Sequence, residues 1–440
     1  MFEVVRSSRR VGSRRAGVIL LIAVFLICAA PAAFGKKKTE PPAPPPPPPK
    51  SILEQMDLSK LVWPSPPAIT RVKYLTHFAN EKYVPPTPKQ VKHSTWMDRL
   101  AGTQSQSERV ATTKPLYALN TPYGLAVDSK GFLYVADGKT GAVFIFNTET
   151  KDAELLKHNV VARFGFVVGL AIDDDDRLFA SDSQLNHVLV LNPQHRVVAA
   201  IEGLHGPGGL AIDTENRFLY IADTQADVVL VYDADSLKFL RKIGTPGKKH
   251  TLTTPGDFSY PTNVAVDHDG NLYVTDLLND RVEIFDADGN FIRAWGKNGD
   301  GPGYFARPKG IAIDADGHVW VADAVQDRLQ CFTPEGQLLM YLGTHGNLPG
   351  QFADLAGLAI DKQNRIFTSE QYPGRVQMFR YITNTEARAE FDRRKAEVEK
   401  KNSETAPAGQ AQAEKPPQPP AGAQTATQPA PAKAPGDAVK

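Results

Sequence analysis

From Pro115 to Thr383 the apolar residues come in short runs of β-branched and aromatic side chains, split by Gly, Asp and Asn. Runs of this length between turn residues predict strands. One arrangement of them recurs six times. The first copy reads Pro122-Tyr123-Gly124-Leu125-Ala126-Val127-Asp128, then Gly131, Leu133-Tyr134-Val135-Ala136-Asp137 and Val143-Phe144-Ile145-Phe146. The first run ends at Asp128, Asp173, Asp213, Asp267, Asp314 and Asp361, and the second at Asp137, Asp182, Asp223, Asp276, Asp323 and Glu370. Each unit therefore offers one four-stranded antiparallel sheet, and six such sheets predict an all-β, six-bladed propeller. Ala126, Ala171, Ala211, Ala265, Ala312 and Ala359 hold one place in all six first strands, where strands converging on an axis leave least room.

The sixth unit supplies only three strands before a charged segment begins. Upstream of the first unit, Ile69-Thr70-Arg71-Val72-Lys73-Tyr74-Leu75 resembles the outer strands Phe291–Trp295 and Leu338–Leu342. Residues 68–77 are therefore expected to complete the last blade and leave no open edge there. The propeller is expected over 68–383, with 78–114 as an insertion. A charged helix is expected over 384–402 and a disordered tail over 403–440.

At the N-terminus, Arg6, Arg9, Arg10, Arg14 and Arg15 precede an uncharged run from Ala16 to Gly35, the pattern of an export signal or of an uncleaved signal anchor over 1–35. Lipidation at Cys28 and a twin-arginine route through Arg9-Arg10 are further readings of the same segment. The linker 36–67 holds eight prolines in Pro41–Pro49 and reads as a stiff extended spacer. The chain is thus expected in the periplasm or cell envelope, touching membrane only through its N-terminal segment.

Charge changes the picture of what the ring binds. The whole chain sums to +1, yet residues 115–383 carry 23 basic against 34 acidic side chains, a net of −11. An acidic ring argues against nucleic acid, whose recognition draws on clustered Lys and Arg. Cys28 and Cys331 offer no disulfide framework, and Cys331 reads as a buried thiol.

The spacing Pro-x-Gly-[Leu/Ile/Val]-Ala-[Val/Ile]-Asp, Gly, [Leu/Val]-[Tyr/Trp]-Val-[Ala/Thr]-Asp, with the linkers Gly301-Pro302-Gly303-Tyr304-Phe305 and Gly350-Gln351-Phe352, resembles NHL repeats of the exported bacterial type. That resemblance implies a six-bladed propeller and several chemistries: an amidating lyase, metal-dependent lactonases, RNA-binding modules and sensor domains. The enzymes would need His, Asp, Glu or Asn where the chain enters each innermost strand. Those positions are Tyr123, Val168, Gly208, Thr262, Lys309 and Ala356, none of them a strong metal ligand. No cofactor and no catalytic residue is therefore assigned, although the acidic turns leave calcium or another divalent ion as an alternative. The repeated aspartates read as structural turn residues, with Asp276 and Asp323 bracing Arg281 and Arg328.

What remains is a binding rim on the linkers between blades: Tyr123, His205, His250, Tyr260, Tyr304, Arg307, Lys309 and Asp354. Phe305 and Phe352 on the same linkers read as packing between blades. The expected function is a non-catalytic scaffold, monomeric, for a protein, peptide or glycan partner. The alternative is a metal-dependent lactonase or lyase at the channel mouth.

Overall fold

The computed structural model describes residues 55–79, 118–157, 164–246 and 254–405. Six antiparallel sheets succeed one another, with inner strands Pro122–Val127, Val167–Ile172, Pro207–Asp213, Pro261–Val266, Pro308–Ile313 and Leu355–Ile360. Each inner strand packs beside the next, and the sixth packs beside the first, so the ring is closed. This is the six-bladed propeller that the repeats predict.

Burial explains why the runs look as they do. Second and third strands such as Leu272–Asp276 and Arg281–Phe285 are buried at every position, so both faces must be filled and polar alternation is lost. Outer strands such as Leu338–Leu342 alternate between half-buried and exposed positions, as a one-sided strand does. There is no single core. Six apolar clusters each straddle two neighbouring blades, one of them joining Tyr134, Val143 and Ile145 of blade 1 to Val167, Leu170 and Leu178 of blade 2. At about 1.5–3 kcal/mol per large apolar side chain buried, the blade interfaces hold the ring together.

Blade 6 is assembled from both ends of the described chain. Val72–Phe78 pairs antiparallel with Arg375–Tyr381, from Val72 opposite Tyr381 to Phe78 opposite Val376, and Val62–Trp63 adds a short fifth strand outside it. Trp63 and Tyr74 meet the ring of Phe379 edge-on, at 5.8 and 5.6 Å. Arg71 fastens this strand to the following segment by donating to Tyr381 Oη at 2.9 Å and to Asn384 Oδ1 at 2.7 Å.

Helix α1 spans Asn384–Thr405. It runs three residues past the expected end because Ser403, Glu404 and Thr405 contain no breaker; the first proline comes at Pro407. Residues 1–54, most of the 78–114 insertion and 406–440 lie outside the described residues, and so do the export segment, most of the linker and most of the tail expected there.

Candidate binding site at the channel mouth

Every inner strand begins with a register irregularity, for example between Pro122 and Leu125 and between Leu355 and Leu358. The third residue of the inner strand is Gly124, Gly169, Gly209, Gly310 or Gly357 in five blades and Asn263 in blade 4. Close approach demands glycine: a Cβ on Gly357 would lie 2.0 Å from Tyr123 O, and one on Gly169 would lie 2.2 Å from Gly208 O. The residues just before these six converge on the axis. Tyr123, Val168, Gly208, Thr262, Lys309 and Ala356 all line one cavity of about 310 Å³ at the mouth of the channel.

Hydroxyl groups fix this ring. The next-to-last residue of each second strand alternates Ala136, Ser181, Ala222, Thr275, Ala322, Ser369 around the propeller. Ser181 Oγ accepts from Gly169 N at 2.8 Å and donates to Gly208 O in the next blade. Thr275 Oγ1 accepts from Asn263 N at 3.1 Å and donates to Lys309 O at 2.8 Å. Ser369 Oγ accepts from Gly357 N at 2.7 Å and donates to Tyr123 O at 2.6 Å. The backbones carrying Tyr123 and Lys309 are thus pinned by the blades that precede them.

The linkers are held by a second repeated device. Gly206, Tyr260 and Asp354, each the residue before an inner strand, take positive φ of 69°, 63° and 56°. Their N–H groups donate to Asn186, Asp227 and Asp327 of the preceding blade, at 2.9, 2.6 and 2.8 Å. Glycine adopts this backbone freely, whereas Tyr and Asp do so at roughly 1–2 kcal/mol. Those two side chains stand at the mouth despite that cost.

The cavity mixes aromatic, amide and hydroxyl groups. Tyr123 and Phe166 meet edge-on at 5.4 Å, and burial pushes the Tyr123 hydroxyl above its ordinary pKa. Tyr260, 44% exposed, and Leu277 extend the apolar side, while Thr262, Asn263 and Gln225 supply polar atoms. Among the described residues of the lining, Lys309 is the only charged one. Its Nζ lies 3.2 Å from Asp354 Oδ1, on a rim residue whose side chain is half exposed.

Of the eight rim residues expected from sequence, Tyr123, Tyr260 and Lys309 line the cavity, and Asp354 reaches it through Lys309. His205 is exposed and faces Asp223, with its N–H on Asp223 Oδ1 at 2.7 Å and Nδ1 3.5 Å from Oδ2. Tyr304 lies under Lys297 at 4.7 Å, and Arg307 is exposed; neither lines the cavity. His250 lies outside the described residues. Phe305 and Phe352 are fully buried between blades. Phe166, Asn263, Gln225 and Leu277 were not anticipated. Asn263 had a legible signal, being the one side chain in a column of five glycines, but Gln225 and Leu277 sit in second-to-third-strand turns that come near the axis only in three dimensions.

The repeated acids occupy turns and linkers. Asp128, Asp173, Asp213, Asp267, Asp314 and Asp361 each accept backbone N–H groups from the hairpin that follows, as Asp267 does from Asp269 and Asn271. The second set clamps the incoming linker: Asp137 takes Asn120 and Thr121, Asp182 takes Phe166, Asp276 takes Ser259, Asp323 takes Ala306 and Arg307, and Glu370 takes Ala353. Arg281 does pair with Asp276, at 3.0 Å. Arg328 does not pair with Asp323; its Nη1 donates instead to Asp300 O at 3.0 Å, since the Asp323 carboxylate is filled by four backbone N–H groups. Burial raises the Cys331 thiol far above its ordinary pKa.

No lining residue of the mouth is His, Asp, Glu or Cys. Groups of three such residues among the described residues, Asp314-His318-Cys331, Asp267-His268-Asp269 and Asp173-Asp174-Asp175, lie elsewhere; the carboxylates of Asp314, Asp267 and Asp173 serve the turns just described, and that of Asp174 pairs with Arg217. The described residues of this mouth offer no carboxylate, imidazole or thiolate ligand for a divalent ion.

A closed ring of six blades with a neutral cup and one cation at its axis defines a six-bladed β-propeller with an axial cavity. The SMP-30/gluconolactonase/LRE-like region matches residues 159–302, and the NHL repeat matches residues 305–332. With the six-blade arrangement, these matches support an NHL-repeat propeller. No curated protein matches it. Similar solved structures include virginiamycin B lyase from Staphylococcus aureus, at 14% identity over 60% of this chain and 96% of that one, TM-score 0.45. A gluconolactonase from Xanthomonas campestris is 16% identical over 60% and 89%, TM-score 0.45. A Bacteroides thetaiotaomicron protein of unknown function is 15% identical over 60% and 70%, TM-score 0.48. Likenesses this distant leave the chemistry of the mouth to its own residues.

Proposed function

We propose that this chain is an exported, non-catalytic propeller scaffold of the cell envelope that binds a protein, peptide or glycan ligand at the channel mouth. Lys309 takes an anionic group of the ligand, and Tyr123, Phe166 and Tyr260 take its flat or apolar part. The observation that carries this reading is the single charge among the described residues of the lining. An acidic ring repels polyanions, yet one ammonium group in a neutral aromatic cup favours a ligand presenting one carboxylate. Asp354 is replaceable as a partner, because an ion pair this exposed is worth about 0–1 kcal/mol. The N-terminal arginines and apolar run support the location.

Calorimetric titration with the peptide Ala-Ala-Ala-Phe, its C-terminal carboxamide and chitotetraose tests this. The expected result is binding of a carboxylate-bearing probe, weakened at least about tenfold by Lys309→Ala and by Tyr260→Ala with the melting temperature unchanged. Binding of none of the probes, or binding indifferent to both substitutions, would sink it.

A second reading, a lactonase or lyase, draws on the gluconolactonase-like match over residues 159–302. Elemental analysis of the purified protein, with lactone and α-hydroxyglycine turnover assays, separates the two. A stoichiometric ion together with turnover would replace the binding reading.

A further inference from the structure

The third strand of blades 4, 5 and 6 reads Arg-Val-Glu-Ile-Phe, Arg-Leu-Gln-Cys-Phe and Arg-Val-Gln-Met-Phe, so that Glu283 stands where Gln330 and Gln377 stand. In blades 5 and 6 the glutamine does two things to the linker that enters the blade. Gln330 Oε1 accepts from Gly303 N at 2.7 Å, and its Nε2 donates to Tyr304 O at 2.9 Å. Gln377 Oε1 accepts from Gly350 N at 2.9 Å, and its Nε2 donates to Gln351 O at 2.7 Å. One acceptor and one donor on the same side chain fasten a glycine and the residue after it.

Glu283 keeps half of this arrangement. Its Oε2 accepts from Gly256 N at 2.8 Å, and the residue after that glycine is Asp257, whose carbonyl, the counterpart of Tyr304 O and Gln351 O, takes Asn279 Nδ2 and Arg281 Nη2 at 3.1 Å each in place of a glutamine amide. An ionised carboxylate has no hydrogen to offer there. Glu283 Oε1 is buried without a hydrogen-bond partner, although Arg281 Nη2 lies 2.5 Å away in an orientation that does not make the bond. The Arg281 guanidinium is already directed at Asp276 Oδ2 and at the carbonyls of Asp257 and Thr254. The charged groups facing Glu283 from the strands and the linker packed on it are Arg281, Asp276 and Asp257. Two acids and one base already leave an excess of negative charge, and ionising Glu283 adds to it.

We propose that Glu283 is a proton-operated latch on the linker that presents Tyr260: protonated, it keeps its bond to Gly256 without setting a charge beside Asp276 and Asp257 and holds the mouth ready for ligand, and ionised, it lets residues 254–260 loosen. The linker leads from Gly256 through Phe258, fully buried against Phe285 at 5.7 Å, to Tyr260 in the cavity lining. Burial supports the assignment, pushing the carboxyl up to about 7, where envelope acidity crosses it. The functional consequence rests on the proposed binding at the mouth; the latch itself does not.

Hydrogen–deuterium exchange of the ligand-free full chain between pH 5.5 and 8.5, corrected for intrinsic rates, tests the latch. In the wild type, protection of the segment 254–260 is expected to fall several-fold as pH rises through about 7. Glu283→Gln should remain protected throughout. A flat wild-type profile, or a Glu283→Gln profile that follows the wild type, overturns the latch and leaves the binding reading standing. Titration of Ala-Ala-Ala-Phe at the two ends of the pH range adds the second arm: with the latch intact, affinity for any probe that binds falls several-fold in the wild type and stays level in Glu283→Gln.

Discussion

Thr275 Oγ1 donates to the carbonyl of Lys309 at 2.8 Å, joining a second strand of blade 4 to the first strand of blade 5 beside the axis. The same hydroxyl takes the N–H of Asn263. Thr275→Val keeps the shape and removes both bonds, leaving the Asn263 N–H unsatisfied and the Lys309 carbonyl with only the longer contact from Thr262 Oγ1 at 3.4 Å. An unsatisfied group costs about 1–3 kcal/mol when buried. Urea unfolding should show a loss of that order, and Thr275→Ser should recover most of it. A Thr275→Val midpoint equal to wild type would show that the bond stabilises nothing.

Gly357 meets the backbone of Tyr123 across the closure of the ring, where an added Cβ would stand 2.0 Å from Tyr123 O. Neither backbone can yield without disturbing the Ser369 bond to the same carbonyl. Gly357→Ala is expected to lower the melting temperature by several degrees, while Gly317→Ala, open to solvent but at φ 80°, should cost only about 1 kcal/mol. Differential scanning fluorimetry of the two variants would distinguish a throat contact from a turn.

Glu283 makes stability depend on pH in a definite direction. Its folded pKa of about 7 lies above the ordinary glutamate value, so the folded chain holds a proton that the unfolded chain has released. Stability is fully present below about 4.5 and declines as pH rises through 7, by at most about 3 kcal/mol from this group. Glu283→Gln should flatten that part of the profile of unfolding free energy against pH. If the two profiles run parallel from pH 5 to 8, the carboxyl is ionised throughout.

Val72, Tyr74 and Phe78 are buried by the strand that closes blade 6. A chain beginning at Lys114 lacks them and leaves Arg375–Tyr381 as an open edge. Three side chains at about 1.5–3 kcal/mol each should be lost from stability, and the open edge should promote association. Comparison with a chain beginning at Ser51 by thermal unfolding and light scattering checks both. Equal melting temperatures would mean that the closing strand contributes nothing.

The repeat is what the sequence by itself determined. Periodic Asp, Gly and Ala positions report local backbone needs, such as a capped hairpin turn at Asp267 or a narrow place at Ala265, and local needs leave a mark at fixed spacing. Six such units have one way to bury their faces, so blade count and ring followed. Tyr123 and Lys309 were legible as candidate site residues because the repeat places them where the chain enters an innermost strand. Tertiary structure alone decided the rest of the mouth. Gln225 and Leu277 stand in turns unlike one another in sequence, and they line one cavity because the bulged inner strands draw six blades to a common axis. Glu283 was hidden for a related reason. Its exchange for Gln330 and Gln377 looks conservative in a strand, and it matters only because a linker 27 residues upstream folds back to place Gly256 N on a buried carboxylate.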